Sequence, residues 1–519
     1  MDTGFVFAGG LRNLRRVQRQ GSVNRRRWRV GGVVMQSGIS FGRSGGGVRG
    51  SVVEDDLCFS SAVSTKKRLS EALRDAVDEA LFSLPVGCVP DVAILYVSTI
   101  YEERKVGLRK ESVEFAAQQI RELIPGVQNV IGGTVAGVLG ADSMGRCTEV
   151  ESIPAVGVTL ARIPDAEINL FHVNESDLPN LDGPQEGWKE VVGGPDPKSL
   201  PTFFLFCNST FQSSGALDKF IRGLDFAYPG SMKVGGVVGS SGPNPGYIYA
   251  TLVKDLMSTT SKCSYKDGLV GLSISGGIEV ETLVTQGVRG IGPVFTVRKV
   301  KNKSVLELDF VPSKSGAGSA LQTMSADRVL KMVISEATKS DQALLFKNPL
   351  LGVALDESKE RLRDGDYLVR KIEGIDPRSG GIELLDDVRV GQRVRFHVRD
   401  AKTAVAEFET ILDRAKRNEL QTSLEGLVMK PIVGTLAIAD VTRGVKFFKE
   451  RNVDTETFIR YAPTSLLGCF AQAEIAPLGG QPSPTYTHES VSAFTVIRRR
   501  SDKTVPAVES EEDAETGET

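Results

Sequence analysis

Apolar positions along the chain alternate between two rhythms, a continuous run and a helical period, and they do so in a fixed order. Asp91–Thr99 is an unbroken apolar run that predicts a buried strand. Glu111–Leu123 then sets Val113, Ala116, Ala117, Ile120 and Leu123 on one helical face. A turn at Pro125 and Gly126 leads to the glycine-bearing segment Val130–Gly137, and Ala155–Leu160 and Ala166–Phe171 follow as a strand pair. The same order returns in strand Pro201–Thr210 and helix Gly215–Phe226, whose Leu217, Phe220, Ile221 and Leu224 face inward. It continues through Pro229 and Gly230, Val234–Gly242, and strands Leu269–Ile274 and Ile278–Leu283. A fainter third copy runs over Leu427–Ile438, Val445–Arg451 and Leu466–Phe470.

The expected fold class is therefore α/β: internally duplicated strand–helix–strand–strand units forming mixed sheets covered by helices, with two packed halves. Phe310–Ser319 reads as a connector. Beyond it a helix is expected over Met324–Ala337, strands over Tyr367–Ile372, Gly381–Leu385 and Arg393–Val398, and an amphipathic helix over Ala401–Arg417. These segments divide the chain into a leader (1–52), a repeat-bearing domain (53–310), a C-terminal domain (320–500) and a tail (501–519).

Charge changes the picture at the two ends. The chain has 519 residues, with 63 Lys and Arg against 65 Asp and Glu. Ten Arg and a single acid fall in residues 1–50, leaving 53 bases against 64 acids beyond them, a net charge of −11. An acidic body of this kind argues against general nucleic-acid binding, which draws its affinity from Lys and Arg on phosphates. The Arg- and Ser-rich leader lacks the apolar core of a secretory signal and reads as an organelle transit peptide, with a basic disordered tail or a nuclear or RNA-binding arm as the alternative. The tail, with seven acids and one Lys, reads as disordered solvating sequence. No apolar run approaches the ~18 residues of a membrane helix. Six scattered Cys without a CxxC and three distant His give no local metal motif, and no cofactor is expected.

Candidate chemistry sits at strand ends. The pairs Gly132-Gly133 and Gly235-Gly236 have two readings: tight packing against a neighbouring strand, or a turn whose backbone faces a ligand. Thr134, Ser240 and Ser241 would add hydroxyls to the second. Gln286 and Arg289 end a strand among glycines, where Arg289 could clamp a carboxylate or cap loop carbonyls. His397, Arg399 and Asp400 place an imidazole, a guanidinium and a carboxylate together. His397 could do acid–base work, while Asp400 looks like the N-cap of the helix from Ala401. Cys207 and Cys469 each end an apolar run and read as buried, inert thiols. No nucleophile elbow, Walker A loop or dinucleotide fingerprint is present.

Several of these motifs together resemble the FIST-domain family, named for F-box and intracellular signal transduction. The resemblance covers roughly Asp91–Arg498. It rests on Ile131–Gly137, Glu149–Ala155, Val234–Gly242, Thr285–Pro293, Asp366–Arg370 and Phe396–Ala401. The stand-alone members from cyanobacteria and photosynthetic eukaryotes look most similar, and that resemblance implies the plastid stroma as the leader's destination, with mitochondrion or cytoplasm as alternatives. The family implies N-terminal and C-terminal FIST regions and a sensory role in binding small ligands, amino acids among them. No F-box pattern precedes the repeat, which counts against a ubiquitin-ligase adaptor. This chain departs from the family pattern at Gly133 and Val288, where Cys is usual, and in Gln472–Pro477 and Ala437–Gly444. The resulting expectation is a binding protein rather than an enzyme, its ligand a small anionic or zwitterionic metabolite. A scaffold that binds a protein partner, or an enzyme using His397 or Glu474, is the alternative.

Overall fold

The computed structural model describes residues 56–500, apart from 104, 107–108, 111, 143, 240–244, 253–261, 312–320, 426–428, 480–481 and 483. The leader, the tail, Ser240, Ser241 and most of the connector lie outside the described residues.

Three copies of one unit, the faint third among them, build the main body. The first contains β1 (Cys58–Ser64), α1 (Leu69–Ser83), β2 (Val92–Ser98), α2 (Ala116–Leu123), β3 (Asn129–Val135), β4 (Gly137–Ala141), β5 (Cys147–Val150) and β6 (Val156–Arg162). The second repeats that order as β7 (Ala166–Val173), α3 (Gln185–Val191), β8 (Thr202–Asn208), α4 (Ala216–Ala227), β9 (Lys233–Val238), β10 (Ile248–Ala250), β11 (Ser264–Tyr265) and β12 (Leu269–Gly276).

The third opens with β13 (Ile278–Thr285) and is interrupted by an insert. The insert carries β14 (Val288–Lys301), β15 (Ser304–Phe310), α5 (Ala326–Glu336), α6 (Lys339–Lys347), β16 (Leu350–Ala354), β17 (Tyr367–Lys371) and β18 (Arg393–Arg399) in an eight-stranded sheet. The unit resumes with α7 (Ala401–Leu424), β19 (Ile432–Asp440), α8 (Val445–Phe448), α9 (Val453–Tyr461), β20 (Leu466–Ala471), β21 (Ala473–Pro477), β22 (Thr485–His488) and β23 (Ser492–Arg499).

Each copy lends two strands to another copy's sheet. The three six-stranded sheets run β1-β6-β2-β3-β10-β11, β7-β12-β8-β9-β21-β22 and β13-β23-β19-β20-β4-β5. In each, a central parallel pair (β2/β3, β8/β9 or β19/β20) is flanked by antiparallel neighbours. The strand pairs that the sequence places together, β6 with β7 and β12 with β13, separate into different sheets.

The central strands β2 and β8 are buried at every residue, as continuous apolar runs require. Tyr96, Phe206, Ile438 and Cys469, on the inner faces of the three sheets, meet in a single core. Helices cover the outer faces. On α4, Leu217, Phe220, Ile221 and Leu224 all face inward at helical spacing.

One glycine position recurs in all three copies. A Cβ on Gly132, Gly235 or Gly468 would overlap the carbonyl oxygen of Leu95, Leu205 or Ala437, the partner across the parallel pair. Gly132 and Gly235 also adopt φ of +145° and +151°, so a side chain there is excluded twice over.

Candidate functional site

Five charged residues converge where β13, β18 and β19 end and β23 begins. Asp440 closes β19 at the position held by Ser98 in β2 and Asn208 in β8. Its Oδ1 accepts from the Thr442 amide at 2.7 Å and its Oδ2 from the Ser490 amide at 2.8 Å. Arg443 follows and is fully buried. Its Nε and Nη2 donate to Asp454 at 2.8 and 2.9 Å, a bidentate pair that fixes the guanidinium plane. Asp454, near the start of α9, also accepts from Ser492 Oγ at 2.7 Å. Phe448 of α8 covers the Arg443 guanidinium at 5.3 Å.

Arg399 is held differently. Nη1 donates to Thr442 Oγ1 at 2.6 Å, and Phe447, beside Phe448 on α8, lies 4.4 Å from the guanidinium. Nε and Nη2 are buried without a hydrogen-bond partner. Burial and then the like charge of Arg443 lower the Arg399 pKa to about 10, against the attraction of Asp440, Glu474 and Asp454.

Glu474 completes the group. It lies on β21 opposite Gly236 of β9, the register position that Val138 occupies on β4 and Ile248 on β10. A carboxyl thus stands where the other two copies have an aliphatic side chain. It is fully buried, and neither oxygen makes a hydrogen bond of normal geometry, the Val491 amide being the one donor near enough to favour its charged form. Burial first, then the Asp440 charge, push its pKa well up, while Arg443, the Val491 backbone amide and Arg399 oppose the shift. Glu474 and Arg399 are thus close enough to feel each other's charge, yet they form no ion pair.

Surrounding residues hold this group in place. Glu407 of α7 accepts from Thr285 Oγ1 at 3.1 Å and from the amides of Gln286 and Gly287, pinning the turn after β13. Gly287 adopts φ +65°, and a Cβ there would come within 2.9 Å of Arg443 Nη1. From the first copy, Glu149 accepts from the Thr455 amide and hydroxyl at 3.0 and 2.9 Å, capping α9. Glu151 accepts from the Val445 amide at 2.8 Å. Beyond the pinned turn, Gln286 and Glu407 also line a groove of about 840 Å³ with Arg361, Arg363 and Arg414.

The residues singled out in the sequence are dispersed. Gly132, Gly133, Gly235 and Gly236 lie inside buried strands, where close neighbours account for them. Thr134 is buried, its Oγ1 shared between the Tyr247 amide at 2.9 Å and the Tyr247 carbonyl. Gln286 spends both amide ends on the β17 backbone, donating to the Tyr367 carbonyl at 2.9 Å and accepting from the Val369 amide at 3.2 Å. Arg289 is paired with Asp341 and Asp400. Asp400 caps α7 by accepting from the Lys402 amide at 3.0 Å.

His397 is buried, with Nδ1 2.9 Å from the Arg395 carbonyl. That contact makes Nδ1 the donor and leaves Nε2 unpartnered. Burial lowers the His397 pKa to about 4. From the sequence reading, Arg399 and Glu474 reach the converging charges. Arg443, Asp440, Asp454 and Glu407 were missed. For Asp440 and Arg443 the signal was a charged stretch directly after the apolar run that ends at Ala439.

Fold and site together define an α/β protein of three six-stranded sheets and an inserted eight-stranded sheet, with a charged, largely buried site at shared strand ends. Residues 91–310 match the FIST N domain and 326–477 the FIST C domain. The chain belongs to the FIST-domain family, whose domains are generally sensory, ligand-binding modules. An uncharacterised protein of Mycobacterium tuberculosis is 28% identical over 451 residues, covering 83% of this chain and 96% of its own. An uncharacterised protein of Mycobacterium bovis is 29% identical over 256 residues, covering 49% of this chain and 58% of its own. A crystal structure of cyanuric acid hydrolase from A. caulinodans aligns over 86% of this chain and 99% of its own at 9% identity. The TM-score of that alignment is 0.22. Among the described residues no helix is long and apolar enough to cross a membrane, and no group of His, Cys, Asp and Glu could hold a metal ion.

Proposed function

We propose that this protein is a small-ligand sensor whose ligand is a zwitterionic or anionic metabolite of amino-acid size, bound between Arg399 and Glu474. The observation that carries the reading is the pair of unsatisfied groups: two buried guanidinium N–H donors on Arg399 and two buried carboxyl oxygens on Glu474. Buried polar atoms without partners cost about 1–3 kcal/mol each, and native proteins keep few of them. A ligand carboxylate on the free edge of Arg399 and a ligand ammonium on Glu474 would satisfy both. Arg443, already saturated by Asp454, would supply background positive charge rather than a direct contact.

This reading moves the anion-binding role from Arg289 to Arg399, because the Arg289 fork is already taken by two carboxylates. The leader (1–52) is proposed to direct the chain into an organelle on its Arg- and Ser-rich composition, and to the plastid stroma on the resemblance to members from photosynthetic organisms. Fusion of residues 1–52 to a fluorescent protein tests that, and a diffuse cytoplasmic signal would refute it.

Binding is tested by calorimetric titration of amino acids and organic acids against the parent protein. Arg399→Lys is expected to weaken any ligand found by about 30-fold or more, since Lys lacks the planar fork. Arg289→Ala is expected to leave binding within about twofold, as for a side chain outside the contact. Equal losses in both variants would refute the assignment.

A further inference from the structure

Away from the charged site, two thiols meet. Cys58, the first residue of β1, and Cys88, in the loop between α1 and β2, place their sulfurs 3.3 Å apart. Both are half-buried and free. We propose that Cys58 and Cys88 form a reversible disulfide by exchange with a small disulfide of the glutathione class.

The geometry supplies the arguments. A disulfide bond is about 2.05 Å long, so the sulfurs need to approach by only about 1.3 Å. Backbone on both sides holds them there. Cys58 is registered opposite Arg162 of β6 in an antiparallel ladder. The Cys88 amide donates to the Pro85 carbonyl at 3.1 Å. Three residues on, Asp91 ties the loop to the end of β6 through Arg162 Nη1 at 2.5 Å and the Ile163 amide at 2.7 Å. The approach from solvent is open to the extent that both cysteines are only half-buried. The remaining thiols are not rivals. Cys207, Cys263 and Cys469 are buried, and the Cys147 sulfur faces the Gly145 carbonyl. Burial and the Cys88 thiol push the Cys58 pKa up to about 12, so Cys58 rests as a thiol at neutral pH.

The exchange balances as written. One cysteine gives up its proton and its sulfur attacks the small disulfide, forming a mixed disulfide and expelling one thiolate, which takes up the proton. The second cysteine gives up its proton and attacks the mixed disulfide at the protein sulfur, expelling the second thiol. Two electrons pass from the cysteine pair to the small disulfide, which leaves as two thiols. The new bond closes the chain around α1 and ties the edge strand β1 to the loop entering β2.

The test equilibrates the full chain across a series of reduced-to-oxidised glutathione ratios, blocks free thiols with N-ethylmaleimide and reads intact and peptide masses. The expected result is loss of two hydrogens, a linked peptide pair containing Cys58 and Cys88, and reversal by dithiothreitol. The oxidised form should melt several degrees higher, because the cross-link restricts the unfolded chain. Cys58→Ser should instead carry one glutathione on Cys88. Full labelling of both thiols at every ratio would overturn the proposal. So would stable glutathione adducts on both without a link, or a link from either to another cysteine.

Discussion

Arg443 and Asp454 form the most buried ion pair described, with two short bonds and a ring over the guanidinium. Removing one member leaves the other charged and dry. Asp454→Ala is expected to cost about 3–5 kcal/mol in urea denaturation; a loss below about 1 kcal/mol would mean that water reaches Arg443. The buried histidines make a pH prediction. His397 and His488 are held neutral, with pKa values lowered by burial to about 4 and about 3. The unfolded chain takes up protons near pH 6.5, above the folded values, so their contribution is present above that pH. It is lost as pH falls from about 6.5 towards 4, by about 3 kcal/mol for His397. Glu149 acts in the opposite direction: burial raises its pKa from 4.5 to about 7, so its contribution is present at low pH and lost as pH rises through that window. His397→Gln should therefore remove part of the acid-side loss and leave the Glu149 slope. An unchanged stability–pH curve would show that His397 titrates normally.

At the scale of elements, the recurring glycine sets the approach of each parallel pair. Gly235→Ala and Gly468→Ala are expected to destabilise by about 3 kcal/mol or more, since the added carbon meets backbone that cannot move aside. Gly215→Ala, at φ +83° with open space around it, should cost only about 1 kcal/mol. A loss at Gly468, which has no positive φ, as small as that at Gly215 would mean that strand contact is not what glycine provides. These elements also show how much of the fold the sequence disclosed. Strands β2 and β8 and helix α4 were legible because burial on both faces, or on one stripe, writes itself as a run or a period. The third copy was faint for two reasons. Its glycine pair reads Gly468-Cys469, and its first strand, β13, is separated from the rest by the insert. The exchange of strands between sheets was not legible, because local pattern says that a strand is buried but not against which partner. The charged site was half legible for the same reason. Arg399 stood out in its motif, whereas Arg443 and Asp454 acquire meaning only once α8 and α9 fold back on β13 and β23.

On the scale of the whole molecule, the exchanged strands tie the two FIST regions together. The first copy supplies β4 and β5 to the sheet of the third, and the third supplies β21 and β22 to the sheet of the second. Unfolding should therefore be one cooperative calorimetric transition, and residues 53–310 alone should lack a native-like melt. Two separate transitions, or a fragment that melts sharply by itself, would contradict this.

The same architecture makes ligand binding visible globally. Arg399 comes from the insert and Glu474 from a strand lent to another copy's sheet, so a bound ligand bridges both and must stabilise the folded whole by mass action. The most direct test is a thermal-shift screen of amino acids and organic acids run in parallel on the parent, Arg399→Lys and Glu474→Gln. The account requires that one chemical class raises the melting temperature of the parent, that Arg399→Lys abolishes the shift, and that Glu474→Gln diminishes it for zwitterions more than for plain carboxylates. A shift of equal size in all three proteins would contradict a ligand held between Arg399 and Glu474.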